Sequence, residues 1–392
     1  MKAVICGAGI SGLALAGRLE RHGWDVVVLE KAPGPRSQGY MIDFFGPGYD
    51  AADAMGVLPR IRELGYRVRE AAYFDETGRR RAGLDYRRFA DALGGRLLSI
   101  MRPDLETALR EHLSPAVDLR HGTGPASVDA HPDGVHLTLT DGTALNADLL
   151  VGADGVHSTV RRLVFGEEDR YLRHLGFHTA AFLFTDPELR ARVRDRFALT
   201  DTTGRQMGFY SLRDGRTAAF AVHRTDSTGT DALPDDPRAA LRRAYGTLGW
   251  WAPRALDRCP PGDEVYYDQV AQIEMDRWTH GRVTLVGDAC GAVSLLAGQG
   301  ASLGIAGAYL LAEELGRTPS LADALARYER TWRPVVTERQ RVARTAARWF
   351  LPESAWRLRV RRLLLHASSL PGADRVLSTA LVGKPTPLPT PR

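Results

Sequence analysis

The amino-terminal part of the chain carries the hydrophobic pattern of a strand, a helix and a second strand in direct succession. Residues 2–6 (KAVIC) form an apolar run that stops at a glycine, which predicts a short buried strand. Residues 13–23 (LALAGRLERHG) show the apolar spacing of a helix, and the final glycine suits its carboxyl end. Residues 25–30 (DVVVLE) are β-branched and apolar up to a glutamate, which predicts the second strand.

Two later segments place a glycine-containing turn directly after an apolar stretch. Residues 135–152 predict a hairpin that turns at Asp141-Gly142, and they lead into a second Asp-Gly pair. Residues 282–300 (RVTLVGDACGAVSLLAGQG) predict a buried strand followed by a glycine-rich turn. That turn opens a predicted helix over residues 301–316, so both segments are of the strand–turn–helix kind that often holds a ligand.

Between residues 173 and 275, apolar and polar positions alternate as in an antiparallel sheet. The segments TAAFLFTD, RQMGFYSL and TAAFAVHRT predict strands, with Asp214-Gly215 as a hairpin turn. One face of this sheet is expected to line a substrate cavity, and the pattern leaves open which face, because a shift of one residue exchanges the two. Tyr210 and His223 are the polar candidates for substrate contact, and the apolar candidates are Met207, Phe209 and Phe220.

The composition is that of an ordinary folded protein with more than one domain. Of the 392 residues, 44% are hydrophobic and 25% are charged; at about 150 residues per domain, the length predicts two or three domains. No apolar run of about 18 residues occurs, so no membrane-spanning helix is expected. The three cysteines are too few and too scattered for a disulfide framework, which favours a reducing, cytoplasmic location.

The net charge of +5 does not by itself indicate a nucleic-acid partner. Only three of the 52 basic residues are lysine, and the arginines are interleaved with acidic residues through most of the chain. The 11 histidines show no paired spacing beside carboxylates, so no metal site is expected. A serine-nucleophile elbow is also missing from the sequence. The chemistry therefore centres on the glycine-rich turns.

Gly7, Gly9 and Gly12 stand between the first predicted strand and the helix, with the spacing of a dinucleotide fingerprint. Gly7 permits the tight turn, Gly9 lets the backbone approach a pyrophosphate, and Gly12 lets helix and strand pack closely. Glu30 stands at the end of the second strand, where a carboxylate accepts hydrogen bonds from a ribose. The pattern predicts a dinucleotide site and leaves both NAD and FAD open.

The order of three motifs along the chain is similar to that of one enzyme family: the glycine fingerprint, an Asp-Gly pair at Asp154 and a Gly-Asp pair at Asp288. From residue 2 to about residue 345 the chain resembles the group A FAD-dependent monooxygenases, the para-hydroxybenzoate hydroxylase-like aromatic hydroxylases. It resembles a divergent bacterial member of the natural-product-tailoring type. The resemblance implies an α/β fold with a Rossmann-type FAD-binding domain, an antiparallel-sheet substrate domain and a C-terminal helical segment.

The domain division that the resemblance implies is discontinuous. The FAD-binding domain is expected to comprise residues 1–72, 98–172 and 276–345. The substrate-binding domain is expected to comprise residues 73–97 and 173–275. The remaining residues, 346–392, are expected to form a helical extension and a proline-rich tail.

The resemblance also implies which positions contact the cofactor. The glycine fingerprint and Glu30 match the site for the ADP half of FAD, and Asp288 matches the contact to the ribityl or pyrophosphate part. The turn from Gly298 to Ser302 matches the backbone that faces the flavin ring. No catalytic side chain is assigned. The expected cofactor-binding residues are Gly7, Gly9, Gly12, Glu30, Lys31, Arg36, Asp43, Arg102, Asp154, Asp288, Gly298, Gly300, Ala301 and Ser302.

The reaction that the resemblance implies is an oxygenation. NAD(P)H, as a transient co-substrate, would reduce the flavin, and O2 would then form a flavin C4a-hydroperoxide. Oxygen would pass to an aromatic or polyketide-like small molecule, in the first place by hydroxylation; Baeyer–Villiger insertion and epoxidation stay open. Neither nucleic acid nor a membrane is an expected partner, and a monomer and a homodimer are both compatible with the sequence.

Three departures from the family's pattern keep other functions open. Cys290-Gly291 follow where the family has Ala-His, Leu295 stands where proline is common, and Gly307 replaces an aspartate. A FAD-dependent reductase or dehydrogenase on the same fold is one alternative. A catalytically silent flavin-binding protein is the other.

Overall fold

Two large β-sheets, one mainly parallel and one mainly antiparallel, organise the chain. The structure is a computed structural model that describes residues 1–35, 38–225, 233–367 and 387–389. The strands, in chain order, are β1 (Lys2–Cys6), β2 (Asp25–Glu30), β3 (Met41–Phe45), β4 (Glu70–Phe74), β5 (Arg80–Asp85), β6 (Leu97–Met101), β7 (Asp118–His121), β8 (Pro125–His131), β9 (Gly134–Leu139), β10 (Ala144–Ala147), β11 (Leu149–Gly152), β12 (Leu172–Phe184), β13 (Arg196–Thr200), β14 (Arg205–Ser211), β15 (Thr217–Arg224), β16 (Tyr266–Ile273), β17 (Thr279–His280) and β18 (Val283–Leu285).

Helices cover both sheets and extend beyond them at the carboxyl end. The α-helices, in chain order, are α1 (Ile10–Arg21), α2 (Pro47–Ala54), α3 (Leu58–Leu64), α4 (Tyr86–Ala92), α5 (Arg102–Glu111), α6 (Thr159–Val164), α7 (Pro187–Arg192), α8 (Pro237–Tyr245), α9 (Ala252–Asp257), α10 (Asp288–Gly291), α11 (Gly300–Arg317), α12 (Leu321–Phe350) and α13 (Ala355–Ala367). Short 3₁₀ turns lie at Glu168–Arg170, Gly262–Glu264 and Leu295–Ala297.

The first sheet has six strands in the order β17-β18-β11-β1-β2-β7. Strand β1 pairs in parallel with β2 on one side and with β11 on the other. Its interior residues are fully buried, because α1, α11 and α12 pack over the sheet. The predicted strand, helix and strand at the amino terminus are confirmed. The carboxyl ends of β1, β2 and β11 meet at one edge, where an open parallel sheet holds its ligand.

The hairpin predicted over residues 135–152 is correct only up to Ala147. Strands β9 and β10 pair around Asp141-Gly142 as expected. The next four residues, Leu149–Gly152, instead form β11, which lies in parallel between β1 and β18. All four residues of β11 are buried; a strand without polar alternation belongs inside a parallel sheet rather than in an exposed hairpin.

The second sheet has seven strands in the order β16-β12-β15-β14-β13-β4-β5. It is antiparallel apart from the parallel pair of β4 and β13, and the hairpin predicted at Asp214-Gly215 joins β14 to β15. One face packs against α8 and α9, and the other faces β3 and β6 of the first half of the chain. This second face is therefore the one that can border a site between the sheets.

The C-terminal helical segment packs back onto the second sheet. Arg361 and Arg362 of α13 both bind the buried Asp201, at the end of β13. The proline-rich tail predicted beyond α13 falls outside the described residues apart from 387–389. Among the residues that the structure describes, no helix combines the length and the apolar character needed to cross a membrane.

Candidate functional site

A cleft of about 1090 Å³ opens at the carboxyl edge of the parallel sheet. It begins where β1, β2 and β11 end and reaches the strand β16 of the second sheet. Seven of the predicted cofactor-binding residues line it. They are Gly7, Gly9, Glu30, Lys31, Arg102, Asp154 and Asp288.

The turn between β1 and α1 shapes the first part of the cleft. Gly7 has φ +108, a conformation that L side chains rarely adopt, and a Cβ there would meet the backbone of Ala153. A Cβ at Gly12 would overlap the carbonyl oxygen of Gly7, so helix and turn are in direct contact. Gly9 is the N-cap of α1 and has no side chain to occupy the first N–H groups of the helix. These groups are therefore free to bind an anion.

Glu30 and its neighbours form the outer wall of the cleft. The Glu30 carboxylate accepts hydrogen bonds from the backbone N–H groups of Ala8 and Ala32, both at 2.9 Å. Beside it lie His121, at the end of β7, and Thr123, just after the strand; their Nδ1 and Oγ1 atoms are buried and lack a hydrogen-bond partner among the described residues. Buried polar atoms are normally paired, so these two atoms are available to hydrogen-bond a ligand in the cleft. Neither residue belongs to a motif, and both reach the cleft because β7 pairs with β2.

Asp288 lies at the inner end of the cleft. Its side chain is open to the cleft but enclosed by protein, and this burial raises the pKa of its carboxyl, with Arg102 opposing the shift. Arg102 itself pairs with Glu106 at 2.8 Å. Tyr40 and Tyr266, from the two halves of the chain, pack with 5.3 Å between their ring centroids, and both line the cleft. Burial raises the pKa of Tyr40 to about 12, so its side chain is a neutral phenol at physiological pH.

The glycine-rich turn before α11 adjoins Asp288. Gly298 is left-handed with φ +64, and a Cβ at Gly300 would lie 3.6 Å from the Asp288 carboxylate. The Ser302 hydroxyl accepts from the Gly48 N–H at 2.9 Å and donates to the Phe45 carbonyl, so the side chain joins α11 to the turn after β3. Only the backbone N–H groups of Gly300, Ala301 and Ser302 remain available at this helix start.

The Asp-Gly segment after β11 is held by internal bonds. The Asp154 carboxylate accepts from the Ser158 hydroxyl at 2.5 Å and from the Val160 N–H at 3.1 Å. The fully buried Arg161 donates to the Ala289 carbonyl at 2.9 Å. Arg161 thus ties the Asp-Gly segment to the Gly-Asp segment from behind, and Asp154 lines the cleft itself.

Asp43, a predicted cofactor-binding residue, stands apart from the cleft residues. Asp43 lies on β3, and its carboxylate accepts from the hydroxyls of Tyr86 at 2.9 Å and Ser99 at 2.7 Å. Burial raises its pKa, and the two hydroxyls oppose that shift. Asp43 is not part of the cleft lining. Arg36 lies outside the described residues.

The two polar candidates on the second sheet point in opposite directions. Tyr210 faces β3, and its hydroxyl accepts a hydrogen bond from the Met41 N–H at 2.7 Å. His223 lies on the far face, 3.0 Å from the Tyr245 hydroxyl. Met207 and Phe209 share that far face, whereas Phe220 lies with Tyr210. The register of β14 with β15 sets this parity, so His223, Met207 and Phe209 do not border the cleft.

The comparisons with known proteins agree with this geometry. A family model described as an FAD binding domain matches residues 1–343. The chain belongs to this FAD-binding family. Its cofactor is FAD, and both the cofactor and the predicted fold class are confirmed.

The relatives place the chain among FAD-dependent oxidoreductases. It is 35% identical over 323 residues to an uncharacterised protein of Mycobacterium tuberculosis (strain ATCC 25618 / H37Rv), covering 80% of this chain and 84% of that protein. It is 30% identical over 387 residues to a flavin-dependent monooxygenase of Phoma sp., covering 90% and 88%. The crystal structure of tetracycline destructase Tet(55) matches with a TM-score of 0.82 and 27% identity, covering 99% of this chain and 98% of that one.

Two of the departures from the family's pattern have a packing reason in α12. A Cβ at Gly307 would lie 2.5 Å from Nε1 of Trp332, and one at Gly291 would lie 2.6 Å from Cγ1 of Val336. Both glycines therefore make room for large side chains that fill the space behind the FAD cleft. No group of three or more metal-ligating side chains occurs among the residues described.

His157, at the edge of the cleft, should make stability depend on alkaline pH. Its ring lies 3.7 Å from Asp268 of the second sheet and 2.9 Å from Glu168, and these carboxylates raise its pKa to about 9. The stabilisation of the fold by protonated His157 is complete below the pKa of histidine in the unfolded chain, about 6.5. It is lost as pH rises through about 9, the pKa in the folded protein. We expect His157→Ala to lower the unfolding midpoint in denaturant at pH 6 and to have little effect at pH 10.

A matched control for this measurement is His136→Ala. His136 is exposed and bonds to the neutral Asn146 at 2.7 Å. The unfolding midpoint of His136→Ala should therefore differ from that of the wild type by the same amount at pH 6 and at pH 10. Equal effects of His157→Ala at pH 6 and pH 10 would contradict the predicted ion pairs.

Proposed function

We propose that the chain is a monooxygenase that uses FAD, NAD(P)H and O2 to hydroxylate an aromatic or polyketide-like small molecule. The observation that carries this proposal is the meeting of the FAD cleft with one face of the antiparallel sheet, at Tyr40 and Tyr266. An oxygenase has to keep water from its flavin, because water destroys the reactive oxygen species, and a sheet face beside the cleft can provide that cover. The similarity to a flavin-dependent monooxygenase of Phoma sp. supports the same reaction class.

The residues on the cleft wall suit the parts of FAD in order. The uncapped start of α1 at Gly9 would receive the pyrophosphate. Glu30, His121 and Thr123 would bind the adenosine end, where two polar atoms lack partners. Asp288 would accept the ribityl hydroxyls. The open N–H groups at the start of α11 would face the flavin ring and stabilise negative charge there.

When bound, FAD accepts electrons from NAD(P)H and activates O2. The protein supplies position and water exclusion. Tyr210 and Phe220, on the sheet face turned toward β3, pack with Met101 of β6 into an apolar wall. The Tyr210 hydroxyl is fixed by the Met41 N–H, so the wall is rigid and can orient a flat substrate against the ring.

We propose a cytoplasmic location and no nucleic-acid or membrane partner. The three cysteines are all free and buried, which suits a reducing compartment. The proposed partner is the small-molecule substrate, and a monomer and a homodimer remain equally compatible with the sequence.

The experiment that tests the function is an absorbance spectrum followed by a redox cycle. Purified protein should show bound flavin, which should bleach when NADPH is added without oxygen and recover on readmission of air. A library of phenolic and polyketide-like compounds should then contain one that gains a single oxygen atom, detected by mass spectrometry with ¹⁸O2. Flavin that no nicotinamide nucleotide reduces would overturn the proposal.

Asp288→Ala should weaken FAD binding by about tenfold to a hundredfold, the effect of losing a hydrogen bond to a charged group. The carboxylate faces the cleft and borders the start of α11. Flavin fluorescence titration of the apoprotein measures the dissociation constant. Asp276→Ala, at an exposed aspartate outside the cleft, is the control and should leave it unchanged; an equal constant for both variants would refute the role of Asp288.

A further inference from the structure

A second concave surface, an arginine groove of about 1210 Å³, is lined in part by β6 of the β3–β6 ribbon. Its walls come from residues 66–70, α4, β6 and the turn between α7 and β13. Eight arginines and three carboxylates line it. That excess of five positive charges equals the net charge of the whole chain, so the groove concentrates the positive potential of the protein.

The carboxylates of the groove are already engaged. Glu70 pairs with Arg80 at 2.7 Å and with Arg196 at 3.6 Å. Asp195 pairs with Arg69 at 3.6 Å, and the third carboxylate caps α4 by accepting a backbone N–H. The acidic residues of the groove therefore leave several guanidinium groups without a counter-charge.

Three arginines, from three different walls of the groove, have no ion-pair partner among the described residues: Arg67, Arg87 and Arg194. All three are exposed, and their side chains make no hydrogen bond or ion pair with any residue that the structure describes. Like charges on facing walls repel one another, and an anion between them removes that repulsion. A carboxylate group pairs with a single arginine in a bidentate contact, whereas a phosphate group has enough oxygens to bind several arginines at once. Three arginines around one space therefore suit a phosphate group.

The groove also has an apolar wall, and it borders the same two-stranded ribbon as the FAD cleft. Phe89 and Leu98 are half-buried along its side, which suits an organic rather than an inorganic anion. Tyr86 and Ser99 line it, and their hydroxyls donate to Asp43 on β3. The segment that leads into β3 contributes Tyr40 to the FAD cleft, so one two-stranded ribbon borders both spaces.

We propose that the arginine groove binds the phosphate-bearing half of NADPH. The inference rests on the function proposed above, which requires a nicotinamide reductant. NADPH carries its charge on a pyrophosphate and a 2′-phosphate, and it has an adenine ring for the apolar wall. NADH lacks the 2′-phosphate. The groove therefore makes this chain prefer NADPH over NADH.

Calorimetric titration of the FAD-loaded protein with 2′,5′-ADP tests the binding site without any turnover. The groove variant is Arg67→Gln with Arg87→Gln and Arg194→Gln. The control variant, Arg277→Gln with Arg330→Gln and Arg359→Gln, removes the same charge from exposed positions outside the groove. We expect the groove variant to bind 2′,5′-ADP at least about tenfold more weakly than the wild type and the control. Equal affinity in the groove variant and the wild type would overturn the proposal.

The second measurement links the groove to the reductant. The KM for NADPH should rise at least about tenfold in the groove variant, and the KM for NADH should rise less, because NADH keeps the pyrophosphate but lacks the 2′-phosphate. Weaker 2′,5′-ADP binding with an unchanged KM for NADPH would overturn the role in reduction. Retention of the flavin spectrum by both variants shows that they fold. The titration with 2′,5′-ADP measures binding and needs no oxygenation. It therefore tests the groove even if the proposed monooxygenase activity fails.

Discussion

Gly12→Ala is expected to raise the dissociation constant of FAD by about tenfold to a hundredfold, equivalent to overpacking of about 1–3 kcal/mol at the cofactor turn. The added Cβ would overlap the carbonyl oxygen of Gly7. The turn at Gly7 cannot move aside, because Gly7 is packed against Ala153 and its N–H donates to the Leu29 carbonyl at 2.7 Å. The start of α1 would move away from β1, and its N–H groups would no longer point toward the pyrophosphate.

Gly17→Ala on the same helix is the matched control for this experiment. Its Cβ would meet only the flexible end of Leu113, at 3.3 Å, and alanine in a helix interior is favoured over glycine by about 1 kcal/mol. We expect this variant to bind FAD like the wild type and to be at least as stable. Flavin fluorescence titration of both apoproteins gives the comparison, and unchanged affinity in Gly12→Ala would show that the turn can open without loss.

Asp201→Ala is expected to weaken the docking of α13 by about 3–5 kcal/mol, because it leaves a buried arginine without its partner. The carboxylate is almost fully buried and accepts from Arg361 at 2.7 Å and from Arg362 at 2.6 Å. Arg361 also donates to the Phe350 carbonyl at 2.7 Å and lies 4.8 Å from the centre of the Tyr73 ring. Loss of the carboxylate therefore affects the helix at several contacts together.

Limited proteolysis should detect this change as faster cleavage between α12 and α13, before global unfolding in denaturant. The control is Asp118→Ala, which removes an exposed ion pair with Arg120 at 2.6 Å. Such a pair contributes about 0–1 kcal/mol, so cleavage should stay at the wild-type rate. Similar rates for Asp201→Ala and Asp118→Ala would mean that α13 is held by apolar contacts instead.

Local patterns in the sequence determined the dinucleotide site. The spacing of Gly7, Gly9 and Gly12 between a buried strand and a helix depends only on short-range sterics, and Glu30 follows at the end of the next strand. The structure brings three of these four residues to the cleft wall, with Gly12 directly behind. The order of the later Asp-Gly and Gly-Asp segments likewise indicated the FAD family, which the family match confirmed.

Other features depend on which strands become neighbours, and short segments do not contain that information. Strand β11 follows the β9–β10 hairpin directly in sequence but pairs with β1, because four buried residues need cover on both faces. His121 and Thr123 came to the cleft only because β7 pairs with β2. The direction of His223 was equally open until the register of β14 and β15 placed it on the far face.

The sequence by itself determined the class of cofactor and the turns that approach it, since these follow from glycine conformations and from residues a few positions apart. Only the tertiary structure decided which side chains surround the cleft, that Asp201 anchors the last helix, and that Arg67, Arg87 and Arg194 share a groove. These residues lie far apart in the chain. Their proximity depends on long-range packing of buried strands and helices, which no local pattern specifies.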